Sequence, residues 1–389
     1  MSSTTYHPFT PAPAPPSDLG FYRVLSPRAG IRVSPMCLGA MNLGDKWGMM
    51  MRSVSKEQSF KVLDEYYNTG GNFIDTASNY QDEESEKILG EWMELRGNRD
   101  QIVIATKYTT NYKPGDPSVK QKISYVGNNI KNMTVSVENS LKKLRTSYID
   151  ILYVHWWDWD TSIKEVMDGL HNLVVSGKVL YLGISDTPAW IAAQCNQYAD
   201  DHGKTPFVVY QGQWSVLERS FERDIIPMAR LNGMALAPFG VIGGGRIRTD
   251  EEEEQREKDG RKGRTRFGED WKRTEDQKKI CRALEKVAKE VGASNIRSVA
   301  IAYVMQKTPY VFPIVGCSNV ENLKENLEGL KISLSPEQIQ FIEDEGPKFD
   351  HGFPHSIIRD GTQSSWMVQM AGQTQRVALP SAIRPNNGN

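Results

Sequence analysis

The stretch GGNFIDTASNYQDEESEKILGEW, residues 70–92, decides how this chain folds. Residues 72–76 are a short apolar run ending in a carboxylate, which predicts a buried strand with Asp75 at its tip. Tyr80 follows five residues later in a polar loop, and residues 84–92 then take up helical spacing. The stretch therefore predicts a strand, a loop and a helix, with two ionisable side chains near the carboxyl end of the strand.

Two further predicted strands run into ionisable residues. Residues 102–105 lead to Lys107, and residues 149–154 lead to His155. Parallel neighbours lie about 4.8 Å apart, so consecutive strands of one sheet would place Asp75, Lys107 and His155 along one rim, with Tyr80 above it. Any one of these residues has an ordinary structural explanation, such as an ion pair. Three of them at successive strand ends, with Tyr80 in the loop above, indicate a site.

The bulk properties exclude several classes of protein. The 389 residues carry 47 basic and 48 acidic side chains, so the net charge gives no sign of a nucleic-acid or membrane partner. No apolar run reaches the roughly 20 residues of a transmembrane helix, and the N-terminus lacks the pattern of a secretory signal. Four scattered cysteines are typical of reduced core thiols. We therefore expect a soluble cytoplasmic protein, and the sequence leaves its oligomeric state open.

Strand and helix patterns alternate along most of the chain and give eight strands over about 300 residues. This favours an α/β fold of the (β/α)8 TIM-barrel class, preceded by an N-terminal hairpin over residues 21–34 that turns at Arg28-Ala29-Gly30. An open doubly wound sheet is the weaker alternative, because no GxGxxG opens a helix and the triple glycine at 243–245 comes late.

The chain divides into a flexible arm over residues 1–18, the barrel over residues 19–346, and a tail over residues 347–389. Apolar side chains in the tail predict that it packs on the barrel: Phe353, Trp366, Met367 and Met370.

Two insertions interrupt the alternation of strand and helix patterns. Residues 111–125 lengthen the loop after Lys107, and they are as consistent with a pocket wall as with a plain surface insertion. Residues 250–266 are a charge run, for which a solvated, mobile excursion is the default. The alternative is a lid over a phosphate-bearing ligand, with anion contacts from Arg261, Lys262 and Arg264.

Five segments carry a resemblance to a known family: residues 70–92, 102–108 (IVIATKY), 144–158 (LRTSYIDILYVHWWD), 177–190 (GKVLYLGISDTPAW) and 313–327 (PIVGCSNVENLKENL). They resemble the aldo-keto reductases, and within them the fungal NADP-dependent aryl-alcohol dehydrogenases and norsolorinic acid reductases. The likeness spans about residues 19–354. It implies a (β/α)8 barrel that binds NADP(H) at its carboxyl face without a Rossmann domain.

By this resemblance Asp75, Tyr80, Lys107 and His155 form the family's catalytic tetrad. Reducing a carbonyl requires a hydride on carbon and a proton on oxygen, so an acid must face the carbonyl oxygen. We expect Tyr80 to be that acid, with Lys107 lowering its pKa and Asp75 keeping Lys107 charged. His155 would donate a hydrogen bond to the substrate oxygen.

The resemblance also implies the cofactor contacts. Ser185, Asp186 and Gln211 would hold the carboxamide, and Phe239 or Pro238 would face the nicotinamide. Gly240 to Arg246 would cover the pyrophosphate, with Arg246 as a cation. The residues expected at the adenosine end are Ser318, Asn322, Glu325 and Asn326. NADP(H) is the expected cofactor and NAD(H) the alternative, because Ser318-Asn319 stands where the aryl-alcohol dehydrogenases carry a basic pair.

Aromatic residues near the predicted rim indicate the type of substrate. His155, Trp156 and Trp47 are the predicted substrate contacts, and aromatic walls suit a planar aryl aldehyde. At least one of the tryptophans around His155 should be core packing. His351 and His355 give no metal site, since Gly352 and Pro354 argue against one helix carrying both.

These residues predict a metal-free NADP(H)-dependent reductase of aromatic aldehydes or ketones, reversible toward the aryl alcohol. A cofactor-bound regulatory subunit like the potassium-channel β proteins is an alternative from another class. A reductase of polyketide synthesis is a third, which differs only in its substrate.

Overall fold

The computed structural model describes residues 9–48, 51, 54–260 and 271–385. The lid residues predicted above, Arg261, Lys262 and Arg264, lie outside the described residues, as do the first eight residues of the N-terminal arm.

Eight parallel strands form the barrel, as the alternation of strand and helix patterns predicted. The strands are β3 (Cys37–Gly39), β4 (Phe73–Asp75), β5 (Val103–Tyr108), β6 (Ile149–Val154), β7 (Val179–Ser185), β8 (Phe207–Gln213), β9 (Ala235–Phe239) and β10 (Ile314–Val315). They pair in chain order, and β10 pairs with β3. Just before β10, Phe312 N donates to Leu236 O (2.8 Å) and Leu236 N donates to Tyr310 O (2.9 Å), which joins the last strand segment to β9.

A hairpin precedes the barrel, formed by the antiparallel strands β1 (Arg23–Ser26) and β2 (Ala29–Val33). Ser26 pairs with Ala29, so the turn falls at Pro27-Arg28 and not at the predicted Arg28-Ala29-Gly30. Leu25, Ala29 and Val33 pack into the same buried cluster as the inward side chains of the barrel strands. The hairpin therefore fills the amino end of the barrel.

The helices are α1 (Lys56–Asn68), α2 (Glu84–Arg96), α3 (Ile130–Lys143), α4 (Ile163–Val175), α5 (Ala189–Asp201), α6 (Ile225–Leu231), α7 (Asp250–Lys258), α8 (Glu275–Val291), α9 (Ile296–Lys307), α10 (Val320–Leu327), α11 (Pro336–Glu345), α12 (His355–Ile358) and α13 (Trp366–Ala371). Most of them surround the sheet and bury their apolar faces in a second cluster outside the strands, whereas α12 and α13 bury no side chain. Side-chain oxygens of Ser55, Asn129 and Ser162 accept hydrogen bonds from the first turns of α1, α3 and α4, which explains where those helices begin.

Residues 250–266 were predicted as a solvated, mobile excursion, and the first nine of them form the regular helix α7. Thr249 and Glu252 make a capping box that satisfies the first backbone N–H groups of the helix. Glu253 is buried, with its Oε2 2.7 Å from Arg248 Nη2 and 2.8 Å from Arg273 Nε. The sequence of the charge run alone does not reveal these two partners of Glu253, because both arginines lie outside the run.

The tail contacts the outside of the barrel beside α6 through polar groups. Arg223 donates to the carbonyl oxygens of Asp350 (2.8 Å) and His351 (3.0 Å), and His355 Nε2 lies 2.6 Å from Asp224 Oδ1. The four apolar side chains predicted to hold the tail are all exposed, with Phe353 at 83% and Met370 at 77%. Those side chains do not anchor the tail.

Candidate active site

The carboxyl ends of three neighbouring strands carry the predicted catalytic residues. Asp75 ends β4, Lys107 lies near the end of β5, and His155 follows the last residue of β6. Backbone pairing places Asp75 opposite Ala105 and Lys107 opposite Tyr153, so the three residues share one rim. The structure thus brings together the residues that the strand-end pattern singled out.

Tyr80 reaches this rim from an unusual turn between β4 and α2. Gln81, Asp82 and Glu83 all have left-handed backbones, with φ of 52°, 49° and 77°. A left-handed residue other than glycine costs about 1–2 kcal/mol, so the turn depends on contacts that hold it. Gln81 is buried, donates to Met41 O (2.9 Å) and accepts from Trp47 N (2.9 Å). The loop after β3 therefore holds the loop that carries Tyr80.

Lys107 lies at the centre of the cluster. Its ammonium donates to Asp75 Oδ1 (2.5 Å) and to Thr76 O (2.7 Å), and its side chain is 0% exposed. Lys107 Nζ is also 5.1 Å from the centre of the Tyr80 ring. Burial lowers the pKa of Lys107, but Asp75 and Tyr80 together raise it above its ordinary value. Lys107 therefore remains a cation at neutral pH.

Lys107 lowers the pKa of Tyr80, as expected, but it does not make the phenol more acidic than a free one. Burial raises the pKa of Tyr80, and although Lys107 lowers it, the pKa stays above the ordinary value for a phenol. The charge of Asp75 also raises the pKa of Tyr80. The phenol is therefore protonated at neutral pH, as a proton donor must be.

His155 faces Tyr80 across the site. The two ring centres are 6.0 Å apart at an interplanar angle of 78°. Burial, followed by the charge of Lys107, lowers the pKa of His155 to about 3. The imidazole is consequently neutral throughout the physiological range and carries one ring proton.

Two of the predicted cofactor residues lie beside this cluster. Ser185 ends β7, and its buried Oγ has no hydrogen-bond partner among the described residues. Gln211 in β8 donates to Asp75 Oδ2 (2.9 Å), so one of its two amide N–H groups is already used within the cluster. An unsatisfied buried hydroxyl costs about 1–3 kcal/mol. A carboxamide placed against Ser185 would remove that cost, so this part of the rim fits a nicotinamide group.

The loop after β9 is shaped by glycines. Gly240, which follows Phe239, has φ +71°, and Gly244 in the triple-glycine turn has φ +61°. Left-handed backbone of this kind favours glycine, and glycine lets a ligand approach the backbone closely. Arg246 lies at the end of the turn. The loop has the composition that the predicted pyrophosphate contact requires.

The predicted adenosine end surrounds the start of α10. Ser318 Oγ lies 3.1 Å from Asn322 Oδ1, and Asn326 is buried on the same helix. Glu325 is engaged by Arg297, with Oε2 3.0 Å from Nη2. A cleft of about 480 Å³ borders this region, and its lining includes Ser55, Lys61, Ser318 and Asn319. A basic side chain, Lys61, therefore lies beside a cleft that Ser318 also lines.

Comparison with known proteins identifies the family. Residues 35–345 match the aldo/keto reductase family. This chain belongs to the aldo-keto reductases. Its relatives include an aryl-alcohol dehydrogenase [NADP(+)] of Phanerodontia chrysosporium, 57% identical over 97% of this chain and 99% of that protein. A putative aryl-alcohol dehydrogenase of Saccharomyces cerevisiae is 54% identical over 90% of this chain and 93% of that protein. Norsolorinic acid reductase B of Dothistroma septosporum is 49% identical over 94% of each chain.

In this aldo-keto reductase, tryptophans take different positions around the site. Trp47 has its ring centre 6.2 Å from that of Tyr80, and its Nε1 donates to Asp82 Oδ1 (2.9 Å). Trp156 is partly exposed beside His155, whereas Trp157 is buried in the core. The prediction that at least one of these tryptophans is core packing is confirmed for Trp157. Trp159 is 65% exposed and contacts Trp190 instead.

The insertion over residues 111–125 is tied to the Tyr80 loop. Lys113 Nζ donates to Glu83 Oε1 (2.5 Å), and the buried Tyr112 packs edge-on against Tyr125, with ring centres 5.4 Å apart. Part of the insertion thus adjoins the site, while Ile123 remains exposed.

Sequence reasoning missed three residues that organise the reductase site. Gln81 and Thr109 hold loops through buried side chains, and Thr110 contacts the ring of His155. Only their closeness to Tyr80 and Lys107 in the sequence could have pointed to them, since glutamine and threonine carry no titratable group.

In the described part of the chain, no group of three or more histidine, cysteine, aspartate or glutamate residues could hold a metal ion. All four cysteines are buried and free, as predicted. No helix among the described residues is both long and apolar enough to cross a membrane.

Proposed function

We propose that this aldo-keto reductase interconverts aromatic aldehydes or ketones and aryl alcohols, with Tyr80 as the proton donor and NADP(H) as the cofactor. The observation that carries the proposal is the ammonium of Lys107, which is buried between Asp75 and Tyr80 and opposite His155. A structural ion pair alone would need neither a protonated phenol nor a neutral imidazole beside it.

Each member of the cluster has one task in this proposal. Tyr80 donates its proton to the carbonyl oxygen of the substrate, and Lys107 stabilises the phenolate that remains. Asp75 keeps Lys107 charged and oriented through the 2.5 Å contact. His155, being neutral, donates a hydrogen bond to the same oxygen.

When bound, the nicotinamide cofactor supplies the hydride that adds to carbon. Ser185, Asp186 and Gln211 would hold its carboxamide, with Phe239 near its ring. Gly240 to Arg246 would contact the pyrophosphate. Ser318, Asn322, Glu325 and Asn326 would hold the adenosine end.

Two observations support NADP(H) over NAD(H). The relative from Phanerodontia chrysosporium carries NADP(+) in its name, and Lys61 borders the cleft beside Ser318 as a cation that could meet a 2′-phosphate. Fluorescence titration with NADPH and NADH tests this preference. We expect tighter binding of NADPH, and equal affinities would contradict it.

An aryl substrate is supported by the aromatic side chains of Trp47 and Trp156 at the rim. The test is steady oxidation of NADPH in the presence of veratraldehyde, with the aryl alcohol identified as product. If the cofactor binds but no aldehyde in a broad panel is reduced, the chain serves as a cofactor-binding regulatory subunit instead.

The relatives also favour a second substrate class. Several norsolorinic acid reductases share 47–49% identity with this chain over most of its length. A polyketide ketone would use the same residues in the same roles. Competition between such a ketone and veratraldehyde for turnover would show which substrate has the higher kcat/KM.

A further inference from the structure

Thr110 contacts two of the aromatic side chains that face the site. Its Oγ1 lies 3.0 Å from His155 Nδ1 and accepts a hydrogen bond from Trp156 Nε1 at 2.9 Å. The hydroxyl thus contacts both rings. His155 is the residue proposed to donate to the carbonyl oxygen, and Trp156 is the residue proposed to line the substrate pocket.

Three groups share the hydrogen-bonding protons around Thr110: the indole of Trp156, the hydroxyl of Thr110 and the imidazole of His155. An indole N–H only donates, so Trp156 occupies one lone pair of the Thr110 oxygen. If His155 Nδ1 also donated to Thr110, the hydroxyl proton would have no acceptor among the contacts of the described residues. If Thr110 donates to Nδ1, the indole proton and the hydroxyl proton both have acceptors. The second arrangement leaves the single imidazole proton on Nε2.

We propose that Thr110 is a positioning residue that holds His155 in the tautomer protonated on Nε2, so that the imidazole can donate to a carbonyl oxygen. The proposal rests on the role of His155 in the proposed function. His155 Nε2 has no hydrogen-bond partner within the described residues, so its proton is available to a ligand.

The backbone of the preceding residue supports this assignment. Thr109 is β-branched and fully buried, yet its φ is +95°. Such backbone strain costs on the order of 1–3 kcal/mol and persists only where surrounding contacts impose it. Here Thr109 O accepts from Gly127 N (2.9 Å), and Thr109 Oγ1 accepts from Asn128 Nδ2 (3.0 Å).

The strained residue also contacts His155 directly. Thr109 Oγ1 lies 3.3 Å from the backbone N–H of His155, which donates to it. Two consecutive threonines therefore hold His155, one at the backbone and one at the ring. This double contact fixes both the position of the imidazole and the direction of its Nδ1.

Thr110→Val tests the proposal, because valine keeps the branched shape and removes the hydroxyl. Thr110→Ser is the matched control, since it restores the hydroxyl. We expect kcat for aldehyde reduction to fall by roughly tenfold in Thr110→Val, about the loss of one neutral hydrogen bond. Thr110→Ser should recover most of that loss, and the Kd for NADPH should stay within about twofold in both variants.

A direct readout of the tautomer distinguishes this role from a merely structural one. In protein labelled with 15N-histidine, with the His155 signals assigned by their absence in His155→Asn, the free wild-type protein should show a protonated Nε2. Thr110→Val should show a mixture of tautomers. The proposal is overturned by a wild-type protein protonated on Nδ1, by an unchanged tautomer in Thr110→Val, or by a serine variant as slow as the valine variant.

The wild-type spectrum needs no variant to fold and no turnover. A protein with the expected tautomer and no reductase activity would therefore contradict the proposed function and leave the assignment of Thr110 intact.

Discussion

Burial decides the chemistry of the individual side chains in this site. The same loss of water that raises the pKa of Tyr80 lowers the pKa of His155 to about 3. Burial would lower the pKa of Lys107 as well, but the interactions with Asp75 and Tyr80 outweigh burial and raise that pKa. The result is a protonated acid, a charged lysine and a neutral histidine around one point at the rim.

Replacing Tyr80 tests the proton donor. Tyr80→Phe keeps the ring that contacts Trp47 and His155 and removes only the hydroxyl. General acid catalysis contributes about 10²- to 10⁴-fold, so kcat for aldehyde reduction should fall by that amount. The Kd for NADPH, measured by fluorescence titration, should stay nearly unchanged. A variant that keeps substantial turnover would remove Tyr80 from its role.

The pKa shifts predict the pH dependence of aldehyde reduction. Tyr80 must be protonated, so activity is present below its raised pKa and is lost only as the pH rises through a value above about 10. His155 must be neutral, so its contribution is lost only as the pH falls through about 3. The profile of kcat/KM should therefore show no inflection from His155 near pH ~6.5, the ordinary histidine value.

The control for this profile is Thr110→Ser, which keeps every titrating group of the cluster. An inflection near neutral pH in both proteins, absent from His155→Asn, would mean that His155 titrates there and would contradict its lowered pKa.

At the level of single elements, α7 links the glycine loop after β9 to the outer helices. Arg248 follows that loop and donates to Gly245 O (2.9 Å), and its guanidinium pairs with Glu253. Arg273, just before α8, pairs with the same carboxylate. One buried glutamate therefore connects the loop proposed to hold the pyrophosphate to two helices.

Removing that carboxylate should destabilise the region. Glu253→Ala leaves the buried guanidinium of Arg248 without its carboxylate partner, and breaking a buried ion pair in this way costs about 3–5 kcal/mol. We expect a lower free energy of unfolding in urea and weaker NADPH binding.

Glu254→Ala is the matched control, because Glu254 is the exposed neighbour on the same helix. It should change the free energy of unfolding by less than about 0.5 kcal/mol. Equal stability of the two variants would show that the ion-pair cluster contributes nothing measurable.

Several element bounds could be read from local pattern. The predicted strand over residues 149–154 agrees residue for residue with β6, and the helical spacing predicted over residues 84–92 falls within α2. Helix α9 was not predicted, because its side chains are buried nearly all round and leave no polar face to produce a helical period. Periodicity detects an element only where one side of it meets water.

The whole molecule depends on how the barrel is closed at its two ends. The hairpin covers the amino end with Leu25, Ala29 and Val33, while the carboxyl end carries the site. Hydrophobic packing at the amino end of the barrel therefore stabilises the strands that carry the rim. This stability offsets the cost of the buried charge and the strained turns at the carboxyl end.

Shortening Leu25 tests the contribution of the hairpin to global stability. Leu25→Ala removes a fully buried side chain from the barrel core and should lower the free energy of unfolding by about 2–5 kcal/mol. Val24→Ala is the control, since Val24 is the adjacent hairpin residue and is 40% exposed. Urea denaturation measures both, and an equal loss in the two variants would mean that the hairpin does not pack inside the barrel.

The sequence by itself determined the barrel and its rim. Apolar runs that end in Asp75, Lys107 and His155 are local patterns, and parallel strands must present their carboxyl ends at one edge. Only the tertiary structure decided that the pKa of Tyr80 is raised, that Thr110 meets His155 Nδ1 and that Glu253 is buried between two arginines. Burial and long-range contacts depend on which elements pack together, and that information is not carried by the residues on either side of a position.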